Sequence, residues 1–209
     1  LWEAWEGTRT GHGSCVLLQG PAGIGKTALS GKLANQVHVS GGAVCVVRCF
    51  RSEKSVPFAP VSALVRQLSR LPGFVALNAI WIGELSRLVP ELRERFPPLP
   101  PAMAIDDSAR YRLCDAVLRA AEVVAEEQPL LLVVDDLQDA DEATLALLHY
   151  FGRQASTQPS ALLGVPLRVG VVNREREATP DTPSWNVVIV TTGIARRWFG
   201  AVHSSLRHR

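Results

Sequence analysis

Short apolar runs alternate with longer stretches of helical periodicity along most of the chain. Residues 15–19 (CVLLQ), bounded by Gly13 and Gly20, read as a buried strand. Residues 26–39 place Ala28, Leu29, Leu33, Ala34 and Val37 on one side of a predicted helix, which Gly41-Gly42 ends. The β-branched, apolar stretch 43–50 (AVCVVRCF) predicts a second buried strand. A mostly helical middle follows: 60–71 carries Val61, Leu64, Val65 and Leu68 at helical spacing, and 79–89 fits another helix. The run Pro97-Pro98-Leu99-Pro100-Pro101 is incompatible with helix and reads as a stiff extended spacer. Residues 107–127 predict a long helix, with Asp106 or Asp107 as N-cap, a stripe of Leu113, Val117, Leu118 and Ala121, and Pro129 beyond its end. A third buried strand fits 130–134 (LLLVV), and a helix fits 141–151, with Asp141 and Glu142 favouring its positive end.

Later the pattern weakens. Residues 161–165 are a candidate fourth strand, prolines 159, 166, 180 and 183 interrupt the periodicity, and 187–191 (VVIVT) carries the last strong strand signal. At the other end, residues 1–12 read as the end of an amphipathic helix, with Leu1, Trp2 and Trp5 apolar and Glu3 and Glu6 polar. That pattern starts without a cap, as expected of a fragment. Strands alternating with helices predict an α/β fold: a parallel sheet covered by helices on both faces. The expected organisation is the end of an upstream helix at 1–12, a core at 13–170, and a divergent or poorly structured tail at 171–209.

Composition narrows the classes. With 209 residues, 47% hydrophobic and 20% charged, the chain suits one globular domain rather than a disordered one. Its apolar runs fall far short of the roughly 20 residues of a membrane helix, and no signal segment opens it, so a soluble, cytoplasmic protein without membrane contact is expected. Cys15, Cys45, Cys49 and Cys114 form no metal or redox spacing and read as buried reduced thiols. Net charge is +2. Residues 150–209 hold eight arginines against three acids, but these are scattered and lack interleaved aromatics, so no direct nucleic-acid contact is expected.

The candidate chemistry lies at two places. Gly20-Pro21-Ala22-Gly23-Ile24-Gly25-Lys26-Thr27 is G-x-x-x-x-G-K-T, the P-loop, directly after a predicted strand and opening a predicted helix. Such a loop wraps a phosphate with inward-facing backbone N–H groups, a concave nest that its glycines permit. The helix start, Lys26 and Ala28 included, directs amide groups and the positive dipole end at the same anion. Lys26 can place its ammonium on the β- and γ-phosphates, and the Thr27 hydroxyl is positioned for Mg²⁺. The second place is the strand 130–134 running into Asp135-Asp136, a Walker-B arrangement. Asp135 is expected to hold Mg²⁺ through water, and Asp136 to orient or deprotonate an attacking water. Arg168 is a candidate γ-phosphate sensor. Asp139 and Asp141 read as helix caps, and His149 as a surface or interface residue. His12, His38, His203 and His208 lack ligand spacing, Trp81, Trp185 and Trp198 read as packing residues, and Ser14 lacks a nucleophile-elbow context.

On these motifs the chain resembles the ATPase module of the STAND branch of AAA+-related P-loop NTPases, and in particular the modules of large bacterial LuxR-type transcriptional regulators and related signalling proteins. The resemblance covers roughly residues 13–168. It is carried by GPAGIGKTAL (20–29), RCFRSEKSVPFAPVSALVRQL (48–68), ELSRLVPELRERFPPLP (84–100), SARYRLCDAV (108–117) and, most specifically, LLLVVDDLQDADEATLALLHYF (130–151). It implies a regulatory switch held closed by ADP, opened by ATP and reset by slow hydrolysis, with partner domains or self-association in a larger parent. It further implies that Lys26 and Thr27 contact phosphate and Mg²⁺, that Asp135 supports Mg²⁺ and that Asp136 activates water. The chain departs from the family in carrying Asp139 where tryptophan is usual, in lacking the Gly-Arg segment upstream of the P-loop, and in losing the pattern after about residue 170. An alternative reading is a non-catalytic remnant or interaction domain with weak nucleotide binding. A small-molecule kinase is disfavoured, because residues 51–106 show no acceptor set.

Overall fold

The computed structural model describes residues 1, 2, 5, 6, 15–18, 23–106, 108–157, 169–172 and 187–191; for residues 15, 17, 152–157, 169–172 and 187–191 it describes the backbone alone. Five strands, β1 (Cys15–Leu18), β2 (Ala43–Arg48), β3 (Leu130–Asp135), β4 (Val169–Val172) and β5 (Val187–Thr191), form one sheet in the spatial order β2-β3-β5-β1-β4. All pairings are parallel. The helices are α1 (Lys26–Val39), α2 (Ala59–Leu68), α3 (Ala79–Leu85), α4 (Leu92–Arg95), α5 (Ala109–Glu127) and α6 (Glu142–Thr157).

β3 explains why both faces of the sheet are covered. All six of its residues are buried, the pattern of an interior parallel strand. Successive side chains point to opposite faces. Leu130, Leu132 and Val134 join a large core with Cys45, Val47, Val61, Leu68, Phe74, Leu85, Val117 and Leu147, drawn from β2, from α2, α3, α5 and α6, and from the 3₁₀ turn at Phe74–Ala76. Leu131 and Val133 join a smaller core with Val16, Leu18, Trp5 and, from α1, Leu33 and Val37. The α/β expectation therefore holds, and the strand signal at 187–191 becomes β5. The boundary expected at residue 170 falls within β4, and β5 comes from the segment beyond it. The candidate strand at 161–165 lies outside the described residues, as do Ser14, His12, Trp185, Trp198, His203 and His208.

Several element limits differ from the sequence reading. The strand expected to reach residue 50 ends at Arg48, leaving Phe50 half-exposed. The helix expected over 79–89 stops at Leu85; Pro90 disfavours helix at the residue before it, and the chain tightens into a turn, with Leu88 N donating to the Leu85 carbonyl. Around α1, Ser30, Leu33 and Val37 form the buried strip, whereas Ala28 and Leu29 are exposed. Leu29 lies about 100° around the helix from Ser30, off the face that meets the sheet. The N-cap of α5 is Ser108, not Asp106; Asp107 lies outside the described residues. Asp106 instead accepts from the Ser108 amide (2.8 Å) and hydroxyl (2.7 Å), an Asx turn that delays the helix by two residues. Asp141 does cap α6, accepting from Thr144 N at 2.9 Å. Trp81 packs on the large core, and His38 and His149 are exposed.

Two polar devices close the periphery of the large core. On the outer side of β2, the Gln67 side chain imitates a neighbouring strand: its Oε1 accepts from Val46 N (3.0 Å) and its Nε2 donates to the Val46 carbonyl (2.8 Å). An exposed strand edge would otherwise invite pairing with another chain. On α3, the buried carboxylate of Glu84 accepts from Met103 N and from Arg87 Nε, while Arg87 also donates to the Met103 carbonyl. This ties the extended proline-rich segment to α3, so the charge is buried with its partners in place. Among the described residues no helix is long and apolar enough to cross a membrane.

Two predictions follow from this packing. Gly73 has φ +87°, and a Cβ there would lie 2.4 Å from the Val123 carbonyl oxygen on α5. Gly73→Ala should lower stability by about 2–4 kcal/mol, from overpacking plus backbone strain; urea unfolding measures it, and a loss under ~0.5 kcal/mol would refute this packing. Burial pushes the Cys45 and Cys49 thiols up to about 12 and Cys114 up to about 11. All three should resist maleimide in the native state at pH 8 and label fully in urea, as read by mass spectrometry.

Candidate functional site

In a parallel sheet all strands deliver their C-terminal ends to one edge, where ligands of such sheets bind. Arg48 pairs in register with Asp135, Val134 with Val190, and Leu18 with Thr191 and Val172. The ends of β1 and β3 are thus separated by β5 alone.

The loop after β1 enters α1 through Gly23 (φ +77°) and Gly25 (φ +97°). A Cβ at either position would meet no atom within 4 Å, so backbone conformation, not crowding, demands glycine there. Gly25 is the N-cap of α1 and offers no capping side chain. The start of this 14-residue helix therefore presents amide groups and the positive dipole end, which suit an anion. Ile24 and Ala28 are exposed and Lys26 is half-buried. Gly20, Pro21, Ala22 and Arg168 lie outside the described residues.

Thr27 closes the gap to β3. Its Oγ1 donates to Asp135 Oδ2 at 2.9 Å, across 108 residues of sequence. Asp135 is buried, and its other oxygen accepts from the Asp136 amide at 3.0 Å. A hydroxyl and a carboxylate side by side are hard oxygen donors of the type Mg²⁺ takes, and that ion completes its shell with water and substrate phosphate rather than an all-protein cage. The donor chemistry therefore fits Mg²⁺. Among the described residues no cluster of three or more His, Cys, Asp or Glu side chains offers a different metal site.

Asp136 has φ +55°, a left-handed conformation uncommon for a non-glycine residue. Its Oδ1 accepts from Gln138 Nε2 at 2.9 Å, and its Oδ2 from Arg48 Nε at 2.8 Å. The Gln138 hydrogen bond above all, joined by the Arg48 guanidinium and Lys26, holds its carboxyl below the usual carboxylate range, with burial opposing them. In turn, Asp136 raises the pKa of Arg48.

Sequence reasoning singled out Thr27, Lys26, Asp135 and Asp136, and the structure brings Thr27 and Asp135 into direct contact. It missed Arg48 and Gln138. Arg48 reads as an ordinary charged end of an apolar strand, and only the β2–β3 register shows that it sits beside the acids.

A glycine turn opening a helix beside a buried acidic strand end, on a parallel sheet with helices on both faces, defines the α/β class of P-loop NTPases. The profile of the AAA ATPase domain matches residues 1–165, and the chain belongs to that family. It is also similar to an uncharacterised protein of Rhizobium meliloti, 27% identical over 181 residues; the alignment takes in 78% of this chain and 17% of that relative's length. No solved structure matches the chain.

Thr27→Val removes a hydrogen bond to a buried charge while keeping the side chain's shape. It should cost about 1.5–3 kcal/mol in denaturant unfolding. An unchanged midpoint would mean that the Thr27–Asp135 contact is absent in solution.

Proposed function

We propose that this chain is an ATP-binding, slowly hydrolysing switch module of a larger signalling or transcriptional regulator. The hydrogen bond from Thr27 to Asp135 carries the reading: it joins the helix that would receive the phosphates to the acid that would hold their metal. The match of this chain to 17% of its relative's length supports a module within a larger protein.

In this reading the loop Gly20, Pro21, Ala22, Gly23, Ile24, Gly25 cradles the phosphates with its amide groups, and the start of α1, through Ala28, adds its dipole. Lys26 offsets charge on the β- and γ-phosphate oxygens. Thr27 and Asp135 would hold Mg²⁺, which supplies further neutralisation of phosphate charge when bound. Asp136 accepts a hydrogen bond from the attacking water and aligns it with the γ-phosphorus. Arg168 is the proposed γ-phosphate sensor. Slow turnover suits a switch that stays in its ATP state long enough to signal. ADP and ATP would hold the closed and open states, and partner domains or self-association in the parent protein would read them.

Equilibrium binding of fluorescent ATP and ADP, with and without Mg²⁺, tests this. Lys26→Ala should weaken binding by ~100-fold, about 2.7 kcal/mol. Asp136→Asn should retain binding and lower turnover by ~100-fold. A folded wild-type chain without Mg²⁺-dependent binding, or a Lys26→Ala variant that binds as wild type does, overturns the proposal.

A further inference from the structure

We infer that Gln67 holds shut a strand edge that would otherwise pair with a second copy of this chain. The inference is independent of the nucleotide site. Among the described residues β2 is the outermost strand on its side of the sheet, with β3 as its neighbour. Ala43 N donates to the Pro129 carbonyl and Cys49 N to the Asp135 carbonyl, so the odd-numbered residues of this stretch turn their backbone groups toward β3. By the period of two, those of Val44, Val46 and Arg48 turn outward. Val46 is the middle of the three, and one side-chain amide takes both its N–H and its C=O, at 3.0 and 2.8 Å. A primary amide offers the donor and acceptor of a peptide group. Gln67 therefore stands where the peptide group of a further strand would stand.

The occupant that β2 itself specifies is another β2. Antiparallel pairing about a twofold axis at Val46 sets that residue opposite its own copy, and Val44 opposite Arg48. In this register each outward-turned residue faces another, the hydrogen-bonded arrangement of an antiparallel ladder. Arg48, the one charged side chain of the strand, is then opposed by a valine, so no like charges meet. The side chains that would come together are apolar and uncovered. Val46 is 46% exposed, on the side opposite to Cys45 and Val47, which lie buried in the large core. At Val46 the strand carries neither the charge nor the proline that commonly guards an edge, and α2 supplies the guard instead. Leu64, Val65 and Leu68 of that helix are buried in the large core. They fix the helix backbone beside β2, so the Gln67 amide needs little further ordering to reach Val46.

Sedimentation velocity across a concentration series, together with hydrogen exchange at the Val46 amide, tests this on the full chain. In the wild type the Val46 amide should be protected to the same degree at every concentration. In Gln67→Ala and Gln67→Ser it should exchange ~10-fold faster at low concentration. It should then regain protection as the concentration is raised, in step with a rise toward twice the wild-type mass. Gln67 is only half-buried, so both variants keep the fold. Adding Val46→Lys to either variant should abolish the association, because two ammonium groups would then face each other across the axis. Three results would each overturn the inference. The first is a Gln67→Ala chain whose Val46 exchange and mass are indifferent to concentration. The second is association that survives Val46→Lys. The third is a wild-type Val46 amide that is unprotected, or whose protection itself rises with concentration.

Discussion

The hydrogen bond between Thr27 and Asp135 is the contact on which the arrangement turns. It spans 108 residues and joins the two parts of the chain that carry recognisable chemistry. It is possible only because β1 and β3 are parallel members of one sheet, separated by β5, with their C-terminal ends on the same edge. An antiparallel or slipped pairing would carry the glycine loop and the acids to different ends or different faces. The wholly buried β3 matters for this reason. With Leu130, Leu132 and Val134 committed to one core and Leu131 and Val133 to the other, the strand cannot shift by one residue without exchanging its two faces, and Asp135 is fixed at the edge.

Around that edge the connecting segments form a second layer of constraint. The loop after β3 contains a left-handed Asp136, a short 3₁₀ turn at Leu137–Asp139 and the cap Asp141. The segment after β2 contains the left-handed Phe58, whose amide is received by that same Asp141. Each segment thus supplies what the other needs: a buried carboxylate finds donors, and an awkward backbone finds an acceptor. The family resemblance noted two separate stretches, the Pro-Phe segment and the D-D-L-Q-D-A-D run. In the fold they are one structural unit.

The two cores divide the labour. The larger one, built under α2, α3, α5 and α6, is sealed by the Gln67 amide at the β2 edge and by the Glu84–Arg87–Met103 cluster at α3. The smaller one lies beneath α1, of which only the strip Ser30, Leu33 and Val37 is buried. The first turn of α1 is therefore left mostly exposed.

By itself the sequence determined the local elements and the reactive groups. Apolar runs, turn residues and helical periodicity located β1, β2, β3 and the principal helices, and the spacing of Gly20, Gly25, Lys26 and Thr27 specified a phosphate-type loop, because these signals are encoded within a few neighbouring residues. Tertiary structure alone decided the strand order, in which β5 lies between β1 and β3 while β4 takes the outer position. It also decided that Arg48 and Gln138 hold Asp136, that Asp106 shapes a turn ahead of Ser108 rather than capping α5, and that Leu29 faces outward. The Asp106 turn and the Gln138 contact are local hydrogen bonds between residues two apart, which compete with capping and leave no periodic signal. The strand order, the Arg48 contact and the outward face of Leu29 depend instead on which distant segment comes to lie alongside, and pairing between residues 48 and 136 leaves no periodic trace in either stretch of chain.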